Sequence, residues 1–288
     1  LYQPKAGKLR NEGLVNTFLH MKILFLTHNL EQDNGGGVFS LRMIRGITMR
    51  LGAEAVIFTS VPSDASSGIL RFNPFKIVQT FLKIRRAAGR CEAIHSFDVF
   101  PYGIAAAIAS LGLRKKYIIT AIGSGSILPL HRPLLALVAR RCLRRADAVI
   151  AISKFTRDEI IKKIPGLAVR VVNPGIHGEE YAKATKLPLP EKVLNMQPYI
   201  LSVGTIRWRK GYKRSIRAFA EVSQKFPHFK YVIIGKRHSE HFFQELLRII
   251  HELDLQEKVV FFDAIETRAE LLAWYRGAEL FCLFSENV

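Results

Sequence analysis

From position 21 onward, short apolar runs alternate with longer segments of helical period. Ile23 to Thr27, Ala55 to Thr59, Ala93 to Ser96, Tyr117 to Thr120, Ala148 to Ser153 and Val169 to Val172 read as buried strands. Between them lie helix-period segments. One carries Leu41, Ile44, Ile47 and Leu51 inward, with Gly52 as its C-cap. Another runs from Gly103 to Leu113 in small residues, and Pro133 starts one that reaches Arg145, with Leu134, Leu137, Val138 and Cys142 facing the protein. Strand alternating with helix is the pattern of a doubly wound parallel sheet. Asn173-Pro174-Gly175 then turns the chain, and a polar stretch bearing Pro188, Pro190 and Pro198 follows.

A second α/β cycle opens at Tyr199. Its strands are Tyr199–Val203, Tyr231–Ile234, Val259–Phe262 and Leu280–Leu283, with helices near 212–225, 240–252 and 268–276. The chain therefore divides into an extension over 1–20, a domain over 21–185, a linker over 186–198 and a partial domain over 199–288. Met21 is the expected natural start. The cycle halts after four strands, so a C-terminally truncated chain is expected.

Composition narrows the partners. The 288 residues carry 43 Lys and Arg against 24 Asp and Glu, a net charge of +19, and 49% hydrophobic residues. Cores are affordable, and an anionic partner is implied: nucleic acid, membrane surface or phosphorylated substrate. Cys91, Cys142 and Cys282 are widely spaced and follow no metal-ligand pattern, which fits a reducing compartment. No apolar run approaches the roughly 18–20 residues of a membrane span. The segment 71–90 holds Arg71, Lys76, Lys83, Arg85, Arg86 and Arg90 with no acid, and Phe75, Val78, Phe81 and Leu82 at helical spacing. Such a helix can lie on an anionic membrane or pack on the sheet with a solvated basic edge. Arg140, Arg141, Arg144 and Arg145 crowd a second helix, and their mutual repulsion is eased by an anionic surface opposite.

The densest chemistry lies at Ser202-Val203-Gly204-Thr205-Ile206-Arg207-Trp208-Arg209-Lys210-Gly211. It reads as strand, Gly turn, basic loop and helix. Free N–H groups at a helix start favour anions, and Arg209 and Lys210 add full charges there, a forked donor and a point charge. The loop is no Walker A motif, because Lys210 precedes Gly211, and no G-x-G-x-x-G occurs. By itself it fits a phosphate grip and a solvated basic turn equally well. Near the chain's start, Asn34-Gly35-Gly36-Gly37 follows the first strand; such glycines let backbone approach a ligand closely and fit a plain turn equally well.

Taken together over residues 21–288, these pieces resemble the retaining GT-B glycosyltransferases of the large family 4. The resemblance rests on Gly35-Gly36-Gly37, on Ala146-Asp147-Ala148-Val149-Ile150-Ala151-Ile152-Ser153, on Val171-Val172-Asn173-Pro174-Gly175-Ile176, on Val203-Gly204 through Arg209-Lys210-Gly211, and on Phe284-Ser285-Glu286-Asn287. It implies two Rossmann-like domains facing across a cleft, the second incomplete here. It implies a UDP- or GDP-sugar donor, a polysaccharide or lipid-linked acceptor, retention of configuration, and neither metal nor cofactor. Gly36, Gly37, Gly204, Arg209, Lys210 and Glu286 would bind donor, and Lys210 and Glu286 would act in catalysis. Lys83, Arg86, Arg140, Arg141 and Arg144 would meet the membrane or acceptor. The enzyme would serve cell-envelope polysaccharide synthesis, cytoplasmic and peripheral on the membrane's cytoplasmic face.

This chain departs from the family at four points. Thr205 stands where Arg often follows the loop Gly, with Arg207 available to compensate. Ile122-Gly123-Ser124-Gly125 lacks the His and Asp of a His-Gly-x-Asp turn. His177 replaces the crossover Asp, and the second motif glutamate would lie beyond Val288. Three other readings stay open: an inactive fragment of such an enzyme, a GT-B-shaped sugar epimerase, and a basic nucleic-acid-binding protein. The last has no recognisable nucleic-acid module behind it.

Overall fold

The computed structural model describes residues 21–31, 35–73, 75–176, 178–263, 265 and 267–286, with the side chains of positions 180 and 184 outside the description. The expected extension over 1–20, and Asn34, His177 and Asn287, fall outside the described residues. The chain forms two compact units, Leu1–Gly175 and Ile176–Val288.

In the first unit seven parallel strands lie in the order β3-β2-β1-β4-β5-β6-β7. They are β1 (Lys22–Thr27), β2 (Glu54–Thr59), β3 (Gly68–Ile69), β4 (Ala93–Phe97), β5 (Lys116–Ala121), β6 (Ala148–Ala151) and β7 (Val169–Val171). Register runs Leu24 to Val56 on one side of β1 and Leu24 to Ile94 on the other. Helix α1 (Gly35–Leu51) covers one face, and Ile44 packs there with Ile23, Phe25, Ile57 and Phe97. Helices α2 (Ile77–Gly89), α3 (Ile104–Ala109), α4 (Pro133–Arg145) and α5 (Lys154–Lys163) share the other face, through Ile84, Ala105, Leu143 and Ile160. Strands buried on both faces explain the near-continuous apolar runs in the sequence.

The inner face of α4 differs from expectation. Ala136, Ala139, Cys142 and Leu143 are buried, whereas Leu134 is 84% exposed and Leu137 and Val138 also lie outside. Small alanines let the helix seat closely on α3 and the sheet, which turns the larger leucines to solvent. The small-residue helix expected from Gly103 to Leu113 is shorter, a wide turn over Val99–Gly103 leading into α3.

The second unit has four parallel strands in the order β10-β9-β8-β11. These are β8 (Tyr199–Val203), β9 (Lys230–Ile234), β10 (Val259–Phe262) and β11 (Leu280–Phe281). Helices α7 (Tyr212–Lys225) and α8 (Glu240–Glu252) cover one face through Ile216, Phe219, Phe243 and Leu246. Helix α9 (Arg268–Gly277) covers the other, where Trp274 is fully buried against Tyr199 and Phe262.

The stretch expected as linker belongs to this unit's fabric. Helix α6 (Gly178–Ala184) brings the Tyr181 hydroxyl to Arg268, a single helical turn at Glu191–Leu194 buries Val193 in the α9 core, and Gln197 Nε2 donates to the Gly277 carbonyl at 2.8 Å. The division between units thus falls after Gly175, ten residues before the boundary read from composition.

Candidate nucleotide-sugar site

Strand β8 ends at Val203, and Gly204 continues it with φ of +157° while its N–H donates to the Ile234 carbonyl at 2.9 Å. The chain must pass close to its neighbour here: a Cβ on Gly235 would lie 2.0 Å from the Gly204 oxygen. Tyr212, buried at the start of α7, donates its hydroxyl to the same oxygen at 2.7 Å. Trp208–Lys210 forms one 3₁₀ turn, and Gly211 at φ +71° breaks it into α7. A left-handed residue is needed at that junction, and glycine accepts it without steric cost.

The loop presents three cations in eight residues. Lys210 folds back over the strand end, so that a Cβ on Gly204 would lie 3.5 Å from its Cε and 3.8 Å from its Nζ. Burial lowers the Lys210 pKa below the ordinary lysine value, and Arg209 and Arg207 lower it further. Arg207 is held down by burial and by Arg209, and its Nε is buried without a hydrogen-bond partner. Repulsion of this kind is relieved by an anion placed among the three groups.

The segment after β11 completes the loop. A Cβ on Gly211 would meet the Phe284 carbonyl oxygen at 1.9 Å, so the two backbones touch. The Glu286 N–H donates to the Arg209 carbonyl at 2.8 Å, and the Glu286 carboxylate lies 3.4 Å from Arg214 Nε. Glu286, far from the loop in sequence, is therefore gathered with Gly204, Arg209 and Lys210 at the carboxyl end of β8 and β11. That is the end at which open α/β sheets bind ligands.

In the first unit the glycine run is the opening of α1 rather than a free loop, since the helix begins at Gly35. Gly35 and Gly36 are exposed, while Gly37 is buried and has no room for a side chain: a Cβ would lie 2.1 Å from the Glu31 carbonyl oxygen and 2.5 Å from Asn29 Oδ1. The close approach at Gly37 is thus made by the chain's own backbone, whereas a Cβ on Gly35 would meet nothing within 4 Å.

Comparison with known proteins decides the family. Residues 32–175, half of the chain, match the glycosyl transferase 4-like domain, and residues 188–287 match glycosyl transferases group 1. The chain belongs to the group 1 glycosyltransferases. Its fold is that of Anabaena HepE, solved in complex with UDP-glucose, at a TM-score of 0.73 and 20% identity, covering 92% of this chain and 74% of that one. A Rickettsia africae glycosyltransferase superposes at a TM-score of 0.71 with 16% identity, covering 92% and 73%. Among curated relatives, the Schizosaccharomyces pombe alpha-1,3/1,6-mannosyltransferase alg2 is 27% identical over 117 residues, 38% of this chain and 23% of its own. The Escherichia coli serotype-specific mannosyltransferase WbdA is 28% identical over 147 residues, 48% of this chain and 18% of its own. The matched part is less than a quarter of either mannosyltransferase.

Two residues carry more than their sequence signal. Arg207 joins the cation group from the residue immediately before the 3₁₀ turn. Asp98, at the carboxyl end of β4, has φ of +70° and fastens the loop that lacks the family's His and Asp. Its Oδ1 accepts from Ser126 Oγ at 2.7 Å and from the N–H groups of Ile122 and Gly123 at 3.0 and 3.3 Å. Burial raises its pKa above the usual carboxyl range, against these hydrogen bonds. Only its unusual backbone conformation marks it out, and no local sequence pattern encodes that.

The basic helices α2 and α4 lie on one face of the first unit's sheet. Lys83 and Arg86 are exposed on α2, and Arg141 and Arg144 on α4, with Arg140 half-buried and its Nε without a partner. Arg85 is anchored instead, donating to the carbonyls of Ala109 and Leu111.

Proposed function

We propose that this chain transfers a glycosyl unit, with retention of configuration, from a UDP- or GDP-sugar to a polysaccharide or lipid-linked acceptor. The observation that supports this most is the grouping of Arg207, Arg209 and Lys210 at the end of β8 with Glu286 docked beside them. Arg209 and Lys210 hold the diphosphate. Negative charge grows on the leaving nucleotide as the glycosidic bond breaks, so fixed cations there bind the transition state more tightly than the ground state. Glu286 lies by the sugar, where its carboxylate accepts hydroxyl hydrogen bonds or faces an oxocarbenium-like carbon. Gly204 bears no side chain at the strand end, where Lys210 folds over it. The charge balance comes from side chains, with no metal or cofactor required.

The exposed cations Lys83, Arg86, Arg141 and Arg144, with Arg140, give the first unit an anion-seeking face. Among the described residues no helix is long and apolar enough to cross a membrane. The proposed place of action is the cytoplasmic face of an anionic membrane, with the protein attached peripherally during envelope polysaccharide synthesis. The experiment is calorimetric binding of a nucleotide sugar. Arg209→Ala and Lys210→Ala are each expected to weaken binding by about 1.5–3 kcal/mol, the scale of a charge-assisted hydrogen bond. Unchanged affinity in both variants removes the diphosphate role.

A further inference from the structure

A second basic concavity lies in the first unit, at the free edge of its sheet. It encloses ≈ 510 Å³ between β3 and α2, and its lining includes Gly68, Arg71, Lys76, Gln79 and Lys83. No acidic residue lines it. Gly68, in its lining, packs tightly on Phe58: a Cβ there would sit 2.8 Å from the ring. Its rim is braced. The Arg71 N–H donates to Thr80 Oγ1 at 3.2 Å, and that hydroxyl donates back to the Arg71 carbonyl at 2.9 Å. The Lys76 N–H donates to Asn73 Oδ1 at 2.8 Å. None of the three cations has an ion-pair partner among the described residues. A forked guanidinium and two ammonium groups around one polar hollow are the donor set of a phosphate.

The same helix and the turn before it carry an apolar ridge beside the pocket. Phe75 is 92% exposed, Val78 64% and Leu82 61%. Lys76 caps the start of α2 and Gln79 and Lys83 lie within it on the pocket side, while Phe75 in the preceding turn, and Val78 and Leu82 in the helix, each stand one position before them on the adjoining exposed flank. Exposed apolar groups of this size cost solvation unless something covers them. Positive charge in a hollow and apolar side chains on the adjoining flank fit a bilayer surface, one part at headgroup level and the other at the acyl boundary.

We propose that this pocket binds the headgroup phosphate of an anionic lipid while Phe75, Val78 and Leu82 enter the bilayer. This rests on the membrane-borne reading above and adds a discrete site to it. Lipid recognition is then local to the β3–α2 edge and not a diffuse consequence of net charge.

The test is co-sedimentation of the whole chain with vesicles, one set of phosphatidylglycerol in phosphatidylcholine and one of phosphatidylcholine alone. The triple variant Arg71→Ala, Lys76→Ala, Lys83→Ala is expected to lose roughly tenfold or more of its partition to the anionic set. Arg217→Ala, Lys225→Ala, Arg248→Ala removes the same charge from exposed sites in the second unit and is expected to change partition less than about twofold. Val78→Ser with Leu82→Ser is expected to weaken partition while leaving the preference for anionic vesicles. Equal loss in both triples, or none in the pocket triple, overturns the site. Saturation of the wild-type pocket by micromolar glycerol phosphate, abolishing partition, makes a free phosphate compound the occupant and also overturns it. Nucleotide-sugar calorimetry on the same proteins separates the two readings: full donor affinity with lost partition leaves the transferase reading standing.

Discussion

Lys210 lies over Gly204 with Arg207 and Arg209 as neighbours, and burial together with these charges holds its pKa below the ordinary lysine value. The sign of the resulting pH dependence follows. A bound diphosphate favours the charged amine, so the pKa rises on binding, and affinity falls as pH climbs through the free-protein value. Affinity for the proposed nucleotide-sugar donor, measured by calorimetry on the alkaline side, is therefore expected to decline at a pH below that of an unperturbed lysine. Lys210→Arg, which does not titrate in that range, is expected to flatten the decline. A profile identical in wild type and variant places the titration elsewhere.

At the scale of elements, the site depends on how the chain after β11 meets the turn before α7. Gly211 has two constraints at once, a φ of +71° and a Phe284 oxygen 1.9 Å from where a Cβ would be. Gly211→Ala is expected to cost about 1–2 kcal/mol from the left-handed backbone alone. More follows from the contact, because the obstacle is backbone and cannot rotate away. The yielding part is the segment Phe284–Glu286, so donor affinity is expected to fall even though neither residue 211 nor its variant carries charge. Denaturant melts and calorimetry on one sample check both effects. A fall in stability with full affinity would show that Glu286 is dispensable for donor binding.

For the whole molecule, the two units have separate cores, Leu24 with Ile94 and Leu143 in the first, and Ile216 with Tyr231 and Leu246 in the second. The basic loop, Gly211 and Glu286 all belong to the second. A nucleotide at a hundred times its dissociation constant adds about 2.7 kcal/mol to the state that binds it. Both tryptophans, Trp208 and Trp274, lie in the second unit, so tryptophan emission follows that unit during thermal unfolding while a dye placed in the first unit follows the other. UDP is expected to raise the transition of the second unit, with the first unit shifted less. An equal shift in both would mean that the units unfold as one cooperative body.

The sequence by itself determined the alternation of strand and helix, because the two-residue and 3.6-residue periods are local consequences of backbone geometry. Tyr199–Val203, Val259–Phe262 and the helix from Tyr212 to Lys225 follow directly from it, as does the cation loop, whose residues are contiguous. It could not mark β3, since two residues at an edge have no period, nor say that 187–197 packs under α9, since prolines and polar residues look the same in a linker. Helix α4 offered two apolar stripes, and only the closeness of its neighbours selected the alanine one. Tertiary structure alone brought Glu286 to Arg209 across 77 positions, seated Asp98 under the loop at Gly123, and closed Arg71, Lys76 and Lys83 around one hollow. Those are contacts between segments, set by strand order and by which backbones can touch, and a one-dimensional pattern carries no term for either.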